Sequence, residues 1–226
     1  MRFGPLYLIL FSLVLTLLQC STDDPSSAAP KLLSVKTLRL TADPTLIAVP
    51  PMDSLQQYFI EDYDSLGQII KVTYYTASGV AQAIFENVYQ NGLKTANTFM
   101  GGDGTVYSKN QFFYDTEGRE IASKTFNSKE EQTGEQRRRY RSGGREKDAI
   151  ALDSTGVEWR YATYYYDEQD REVRLDEYNG ENQLIAIVTS DYKKTDERGQ
   201  WLECYKYVND TLRTVELREY KYTEQE

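Results

Sequence analysis

The sequence contains no histidine among its 226 residues. Without an imidazole, the chain cannot build a serine–histidine–aspartate triad, a histidine-containing zinc site or the commonest general base. No glycine-rich loop carries the lysine of a phosphate-binding loop, and no acidic loop has the ligand spacing of an EF-hand. We therefore expect no catalytic residues, no metal site and no cofactor.

Paired carboxylates are the one catalytic device that the composition leaves open, because two acids can hydrolyse a glycosidic bond. Glu158, Asp167, Asp176 and Glu177 lie near one another in the sequence. With 35 acidic residues such neighbours arise by chance, and aspartate has a structural role in turns. A carboxylate-pair glycoside hydrolase is thus an alternative, and the prediction is that the protein is not an enzyme.

Basic residues and cysteines are both scarce. Lys and Arg number 26 against 35 Asp and Glu, and the formal net charge is −9. Such a surface repels phosphates, so nucleic acid is not expected as a partner. Cys20 and Cys204 are the two cysteines. Cys204 alternates with larger side chains, which indicates a small buried hydrophobe rather than a reactive thiol.

The longest hydrophobic run is shorter than the roughly 20 residues that a transmembrane helix needs. It extends from Leu6 to Leu18, about 13 residues, which is typical of a secretory signal. The run ends in Leu17-Leu18-Gln19-Cys20, which resembles the bacterial lipobox. The resemblance implies a signal peptide at residues 1–19 and a lipid anchor on Cys20. Loss of Arg2 with that peptide changes the formal net charge to −10.

Residues 20–30 are rich in serine, proline and alanine, which predicts a flexible tether. Within them, Ser21 to Asp24 resembles the short acidic export tag of Bacteroidota surface lipoproteins, and an ordinary polar tether is the alternative. These resemblances imply secretion across the inner membrane, lipid anchoring in the outer membrane and exposure at the cell surface.

The rest of the chain has the pattern of antiparallel strands. Turn signals recur at spacings of roughly 11 to 17 residues, and the stretches between them alternate, as in Val157 to Tyr165. No segment shows helical periodicity. We predict an all-β antiparallel meander of about a dozen strands over residues 58–226. A single-layer twisted or partly wrapped sheet is favoured, and an up-and-down barrel is the alternative.

The two ends of this region differ from its middle. Residues 31–57 predict one strand near Leu32 to Leu40 and then a linker with three prolines, which is expected to cover the first edge of the sheet. Thr214 to Tyr222 is rich in charges, which is typical of a protected edge strand.

Three turns share a tyrosine–aspartate pattern. Their residues are Tyr63, Asp64 and Gly67; Tyr114, Asp115 and Gly118; and Tyr166 and Asp167. They resemble the tyrosine–aspartate (YD, or RHS-like) repeat of secreted bacterial proteins, and Val88 to Leu93 is similar to the related MORN-like repeat. The resemblance implies stacked hairpins from about Tyr58 to Tyr222. It also raises an antitoxin- or immunity-like role as an alternative.

Aromatic residues suggest where a partner could bind. Nineteen tyrosines and two tryptophans exceed what a small core needs, so some are expected to form a platform for sugars or proteins, with cross-strand packing as the alternative. The candidates are Trp159, Tyr161 and Trp201. Arg137, Arg139 and Arg141 are also candidates, either to grip an anionic glycan or, alternatively, to form a solvated face paired with neighbouring acids.

The resulting prediction is a non-catalytic, membrane-anchored surface lipoprotein that acts as a binding or structural module of the cell envelope. Its expected partners are the membrane, through Cys20, and a glycan or another envelope protein. A carbohydrate-binding component of a surface glycan system is an alternative.

Overall fold

A computed structural model describes residues 30–41, 55–141 and 146–223 of the chain. The predicted signal peptide, Cys20 and all of the predicted tether except Pro30 lie outside the described residues, as does most of the proline-containing linker. Within the described ranges, no helix is long and apolar enough to cross a membrane.

Fourteen strands make up the fold, and short turns join most of them. They are β1 (Leu32–Thr41), β2 (Leu55–Tyr63), β3 (Ile69–Thr76), β4 (Ala81–Gln90), β5 (Leu93–Gly101), β6 (Val106–Tyr114), β7 (Glu120–Asn127), β8 (Gln132–Tyr140), β9 (Glu146–Asp153), β10 (Glu158–Tyr166), β11 (Glu172–Asn179), β12 (Leu184–Thr195), β13 (Trp201–Val208) and β14 (Thr211–Tyr222).

Every strand pairs antiparallel with its neighbours in the chain, and β1 also pairs with β14, so the sheet closes into a barrel. Leu38 in β1 lies opposite Leu217 in β14 and Tyr58 in β2. The predicted all-β antiparallel meander is confirmed, with fourteen strands instead of about a dozen. The favoured single-layer sheet is wrong, because the barrel that was its alternative is the form observed.

Closure also changes the assignment of the two ends. β14 was expected to be a charged edge, but β1 pairs with it along most of its length, so its backbone groups are satisfied. Its charges divide between the two barrel faces instead of marking an edge. β2 begins at Leu55, inside the segment assigned to the linker, and both β1 and β2 are integral to the barrel.

Burial alternates along the strands and identifies the inner face. In β6, Ser108, Asn110 and Phe112 are half-buried, whereas Lys109 and Gln111 are exposed. Residues opposite one another in register share a face, so the pairings extend this inner face around the barrel. The most buried side chains lie on β1, β13 and β14, where the barrel closes. Val35 and Cys204 are on the inner face, whereas Leu40 and Val215 lie opposite one another on the outer face.

Asp64, Asp115 and Asp167 build their turns in the same way. Each Oδ1 accepts hydrogen bonds from the backbone N–H groups two and four residues later, at 2.8–3.0 Å. Each aspartate carbonyl also accepts from the N–H three residues later. Gly67 and Gly118 close their turns with φ of 77° and 76°, and Asp170 does so with φ of 56°. The turns are therefore equivalent, while the family resemblance stays a prediction.

One barrel end carries a ring of tyrosines, which we call the tyrosine rim: Tyr63, Tyr89, Tyr114, Tyr140, Tyr166, Tyr192 and Tyr220. Each even-numbered strand supplies one of them, at sequence spacings of 26, 25, 26, 26, 26 and 28 residues. At five of them the hydroxyl donates to the carbonyl at the start of the preceding strand, with distances of 2.7–3.1 Å.

The tyrosine bonds occur where the sheet register slips. Tyr63 pairs with Ile69 although Asp62 pairs with Lys71, which leaves Ile70 as an extra, outward residue. The same kind of shift occurs at the start of β7, where Ile121 has no paired residue on β6. A bulge interrupts the backbone ladder, and the tyrosine hydroxyl donates to a carbonyl at that position.

Candidate functional site: a cavity on the inner wall

A polar cavity of about 420 Å³ lies on the inner face along β5 to β10. The register places its residues in two inward rows: Asn97, Asn110, Thr125 and Gly134 in one, and Phe112, Ser123, Gln136 and Ala151 in the other. Lys94, Arg138 and Trp159 also line the cavity.

A hydrogen-bonded chain of small polar groups crosses this wall. The Asn110 amide donates to Asn97 Oδ1 at 2.7 Å, and the Thr125 hydroxyl donates to Asn110 Oδ1 at 2.6 Å. These bonds fix the orientation of the Asn110 amide, so the remaining donor and acceptor positions have defined directions. The wall is therefore preorganised for a ligand with several hydroxyl or carbonyl groups.

A second cavity, of about 270 Å³, adjoins the first along β3 to β5. The two share Lys94 and Asn97, so they form one continuous trough. In the second cavity, the Asn87 amide donates to the Ile69 carbonyl at 2.6 Å. Phe85 and Tyr74 provide its apolar side.

Aromatic rings form an unbroken row beside the trough. Centroid distances are 5.2 Å from Phe59 to Tyr74, 5.9 Å to Phe85, 4.7 Å to Phe99 and 5.5 Å to Tyr107. The rings contact one another from strand to strand, so this row is cross-strand packing, as the alternative in the sequence analysis held. Phe112 and Trp159 are the rings that line the first cavity.

The three aromatic candidates from the sequence are not together. Trp159 lines the cavity and is 55% exposed. A register shift between Glu158 and Arg160 removes it from the face that the alternating pattern had assigned to it. Tyr161 faces outward and packs on Tyr178 with centroids 5.4 Å apart. Trp201 lies at the tyrosine rim, 5.6 Å from Tyr192 and beneath the guanidinium of Arg218 at 4.0 Å.

The arginine cluster likewise divides between faces. Arg137 and Arg139 are exposed and line a shallow outer depression with Ile121, Ala122 and Ile150. Arg137 pairs with Glu135 at 2.6 Å, and Arg141 pairs with Asp148 at 3.0 Å. Arg137 and Arg141 are therefore paired with neighbouring acids, as the alternative in the sequence predicted.

Arg138, between them, points into the barrel, where it pairs with Glu120 and donates to Gln136 Oε1 at 2.5 Å. Arg138 was not among the predicted site residues, although the period of two within Arg137-Arg138-Arg139 places its side chain on the face opposite those of its neighbours. Lys94 was not predicted either, because the bulge where Tyr89 pairs with Lys94 changes which barrel face its side chain occupies.

The acidic residues considered for hydrolysis do not converge. Asp176 faces outward and pairs with Arg174 at 2.6 Å, whereas Glu177 faces inward and pairs with Arg160 at 2.5 Å. Asp167 is committed to its turn. Within the described ranges, no group of three or more acidic or cysteine side chains could hold a metal ion.

Comparison with solved structures finds the same kind of fold. A porin-like protein from Bacteroides uniformis aligns with a TM-score of 0.50 at 12% identity, over 88% of this chain and 100% of that one. A porin-like protein from Bacteroides vulgatus aligns with a TM-score of 0.46 at 11% identity, over 85% of this chain and 99% of that one. No protein-family model and no curated protein matches the sequence. At 12% identity the first likeness shows the barrel fold alone.

Proposed function

We propose that the protein is a non-catalytic, lipid-anchored component of the bacterial envelope that binds an oligosaccharide inside its barrel. The observation that carries the proposal is the cavity wall, where the Asn97–Asn110–Thr125 chain lies beside the rings of Phe112 and Trp159. Oriented amides and hydroxyls match the hydroxyl groups of a sugar, and aromatic faces match its apolar C–H faces.

Charged outward residues between β3 and β8 support a barrel that sits in water instead of in a bilayer. A transmembrane barrel presents an apolar band about 25 Å tall to lipid. Here Lys71, Glu86, Lys109, Lys124 and Arg137 point outward from β3, β4, β6, β7 and β8. Such a barrel needs a separate attachment to a membrane, and the lipobox at Cys20 supplies one in this proposal.

The first and last residues of the barrel lie at the same end, which is consistent with an anchor that precedes the barrel in the sequence. The Lys31 N–H donates to Thr223 Oγ1 at 3.0 Å, and the Thr223 N–H donates to the Lys31 carbonyl at 2.9 Å, at the end of the barrel that bears the tyrosine rim. The predicted tether precedes Lys31 directly. The anchor would therefore attach to the tyrosine-rim end.

Binding can be tested with two matched pairs of variants. We expect Asn110→Ala and Phe112→Leu, which alter the inner wall, to weaken sugar binding about tenfold or more, a loss of about 1.4 kcal/mol. Gln111→Ala and Phe113→Leu change the adjacent outward residues and should leave affinity unchanged. Isothermal titration calorimetry against a panel of neutral and acidic trisaccharides measures the affinity of the inner and the outer variants. The proposal fails if no sugar in the panel binds, or if inner and outer variants lose affinity equally.

The anchor needs its own experiment. Cys20→Ala should abolish acylation and release the protein from the membrane fraction, because the acyl chains supply the membrane affinity. Fractionation with detergent and intact mass of the mature protein report both effects. An uncleaved Cys20→Ala protein that stays in the detergent phase would show a signal anchor instead.

A further inference from the structure

Three cations lie on the same inner wall as the proposed sugar site. Lys94 and Arg138 line the cavity, and Lys94 also lines the adjoining one. Lys147 lies opposite Tyr140 in the register, one strand beyond Arg138. All three side chains therefore share one region of the lumen, in a chain whose overall charge is −9.

These cations have too few carboxylates to match them. Arg138 pairs with Glu120. The Lys94 ammonium lies 4.2 Å from the centroid of Phe112, and that of Lys147 lies 4.8 Å from the centroid of Tyr164. Across residues 30–41, 55–141 and 146–223, neither lysine has a carboxylate oxygen within 4.0 Å. Glu135 also lines the cavity, but Arg137 already binds its carboxylate.

The opposite wall is different. There, Glu216 accepts from Arg39 at 2.8 Å and from Lys206 at 3.1 Å, and Arg218 lies 3.7 Å from Glu61. Acids and bases on that wall are paired with one another. The surplus of positive charge is thus a local property of the wall that carries the amide chain and the two aromatic rings.

The pKa shifts of the two lysines agree with a surplus of positive charge on this wall. Burial lowers the pKa of Lys94, and the charge of Arg138 lowers it further. The pKa of Lys147 is lowered by the same two causes, in the same order, and the charges of Tyr140 and Glu172 only partly offset them. Each protonated lysine therefore sits in a partly desolvated place beside a like charge, and a bound anion would relieve that repulsion.

We propose that the trough binds an acidic oligosaccharide, with a carboxylate or sulfate group of the sugar held by Lys94 and Arg138. The inference rests on the proposed function and specifies its ligand class. The ammonium and guanidinium supply charge-assisted hydrogen bonds to the anionic group. The Asn97–Asn110–Thr125 chain and the Phe112 ring contact the rest of the sugar.

The test compares three probes by isothermal titration calorimetry with the mature chain: trigalacturonic acid, the neutral trisaccharide maltotriose and inorganic sulfate. We expect trigalacturonic acid to bind about tenfold or more tightly than maltotriose, and to weaken as ionic strength rises. Lys94→Gln should remove most of that difference, measured as the ratio of the two affinities in the same variant.

Matched variants distinguish the effect of a positive charge inside the barrel from the effect of the protein's total charge. Arg139→Gln and Lys124→Gln remove the same charge from the outer face and should leave the preference for acid intact. Arg138→Gln alone leaves Glu120 without its partner, so the double variant Arg138→Gln/Glu120→Gln tests Arg138 without that cost. Circular dichroism confirms that each variant is folded.

The outcomes are distinguishable. Equal affinity for the acidic and neutral trisaccharides would overturn the inference and leave the proposed function standing. Binding of none of the sugars would overturn both. Sulfate that binds as tightly as trigalacturonic acid would show an anion site without sugar recognition, which also overturns the inference. Loss of the acid preference in Lys94→Gln, but not in Arg139→Gln, supports it.

Discussion

The Tyr114 hydroxyl donates a 2.7 Å hydrogen bond to the backbone carbonyl of Lys94, the residue whose side chain reaches into both inner cavities. The bond thus ties the tyrosine rim to the proposed binding wall. Removing the hydroxyl leaves a half-buried carbonyl without this donor at a point where the register slips.

We expect Tyr114→Phe to lower the free energy of unfolding by about 1 kcal/mol, the usual net contribution of such a bond. Urea denaturation followed by circular dichroism measures it. Tyr107→Phe is the control, because Tyr107 is 53% exposed and its hydroxyl has no hydrogen-bond partner within the described part of the chain. Equal losses for the two variants would mean that the rim bond contributes nothing.

Asp170 provides a test of the turn geometry. It holds φ of 56° at the position where the equivalent turns have Gly67 and Gly118. A side chain in the left-handed region is strained, and glycine relieves the strain at some entropic cost in the unfolded chain. Asp170→Gly should therefore raise the free energy of unfolding by about 0.5 kcal/mol.

Gly67→Ala is the reverse control for the turn. Its φ is 77°, and an added Cβ would meet no atom within 4 Å, so only backbone strain changes. We expect a loss of about 1 kcal/mol in the same urea experiment. If Asp170→Gly destabilised the protein, the turns would not be equivalent and the repeat interpretation would lose its support.

Much of the strand pattern was predictable from the sequence, because Asp and Gly mark turns locally and alternation marks strands. Closure was not, since it depends on pairs such as Leu38 with Leu217, which no local pattern reveals. The recurrence of the seven rim tyrosines is visible in their spacing of 25 to 28 residues, but only Tyr63, Tyr114 and Tyr166 are followed directly by an aspartate turn.

The binding wall was predicted only in part. Trp159 was a candidate and lines the cavity, whereas Asn97, Asn110 and Lys94 were not. Amides and isolated lysines look alike in a sequence whether they face solvent or a lumen. Their faces depend on bulges, such as the one that pairs Tyr89 with Lys94, and a single inserted residue reverses the alternation.

Two inner glutamates should respond to pH with opposite signs. Burial raises the pKa of Glu172 above its usual 4.5, and the attraction of Lys206 and Lys147 only partly offsets this. Its folded pKa is above its unfolded one, so its ionisation destabilises the fold as the pH rises through the folded pKa. Glu172→Gln should be more stable than the wild type at about pH 7, and the difference should vanish near pH 4.

Glu216 is the matched control with the reverse expectation. Burial alone would raise its pKa, but Lys206 and Arg39 together outweigh burial and lower it. Its stabilising contribution is present above the unfolded pKa and is lost as the pH falls through the folded one. Glu216→Gln should thus be less stable than the wild type at about pH 7. Denaturant titrations across this pH range measure the change in stability of each variant, and changes of the same sign in both variants would contradict the opposite pKa shifts of Glu172 and Glu216.

The last prediction concerns the thiol of Cys204, which is fully buried on the inner face of β13 opposite Glu216. Burial raises its pKa to about 11. The thiolate is the reactive form, so little of it exists at about pH 8. A soluble form that begins near Ser26 lacks Cys20, and any label must then report Cys204. We expect the folded protein to resist iodoacetamide and the guanidinium-unfolded protein to be labelled completely. Prompt labelling of the folded protein would show that β13 opens, and that the region where the barrel closes is less stable than its burial implies.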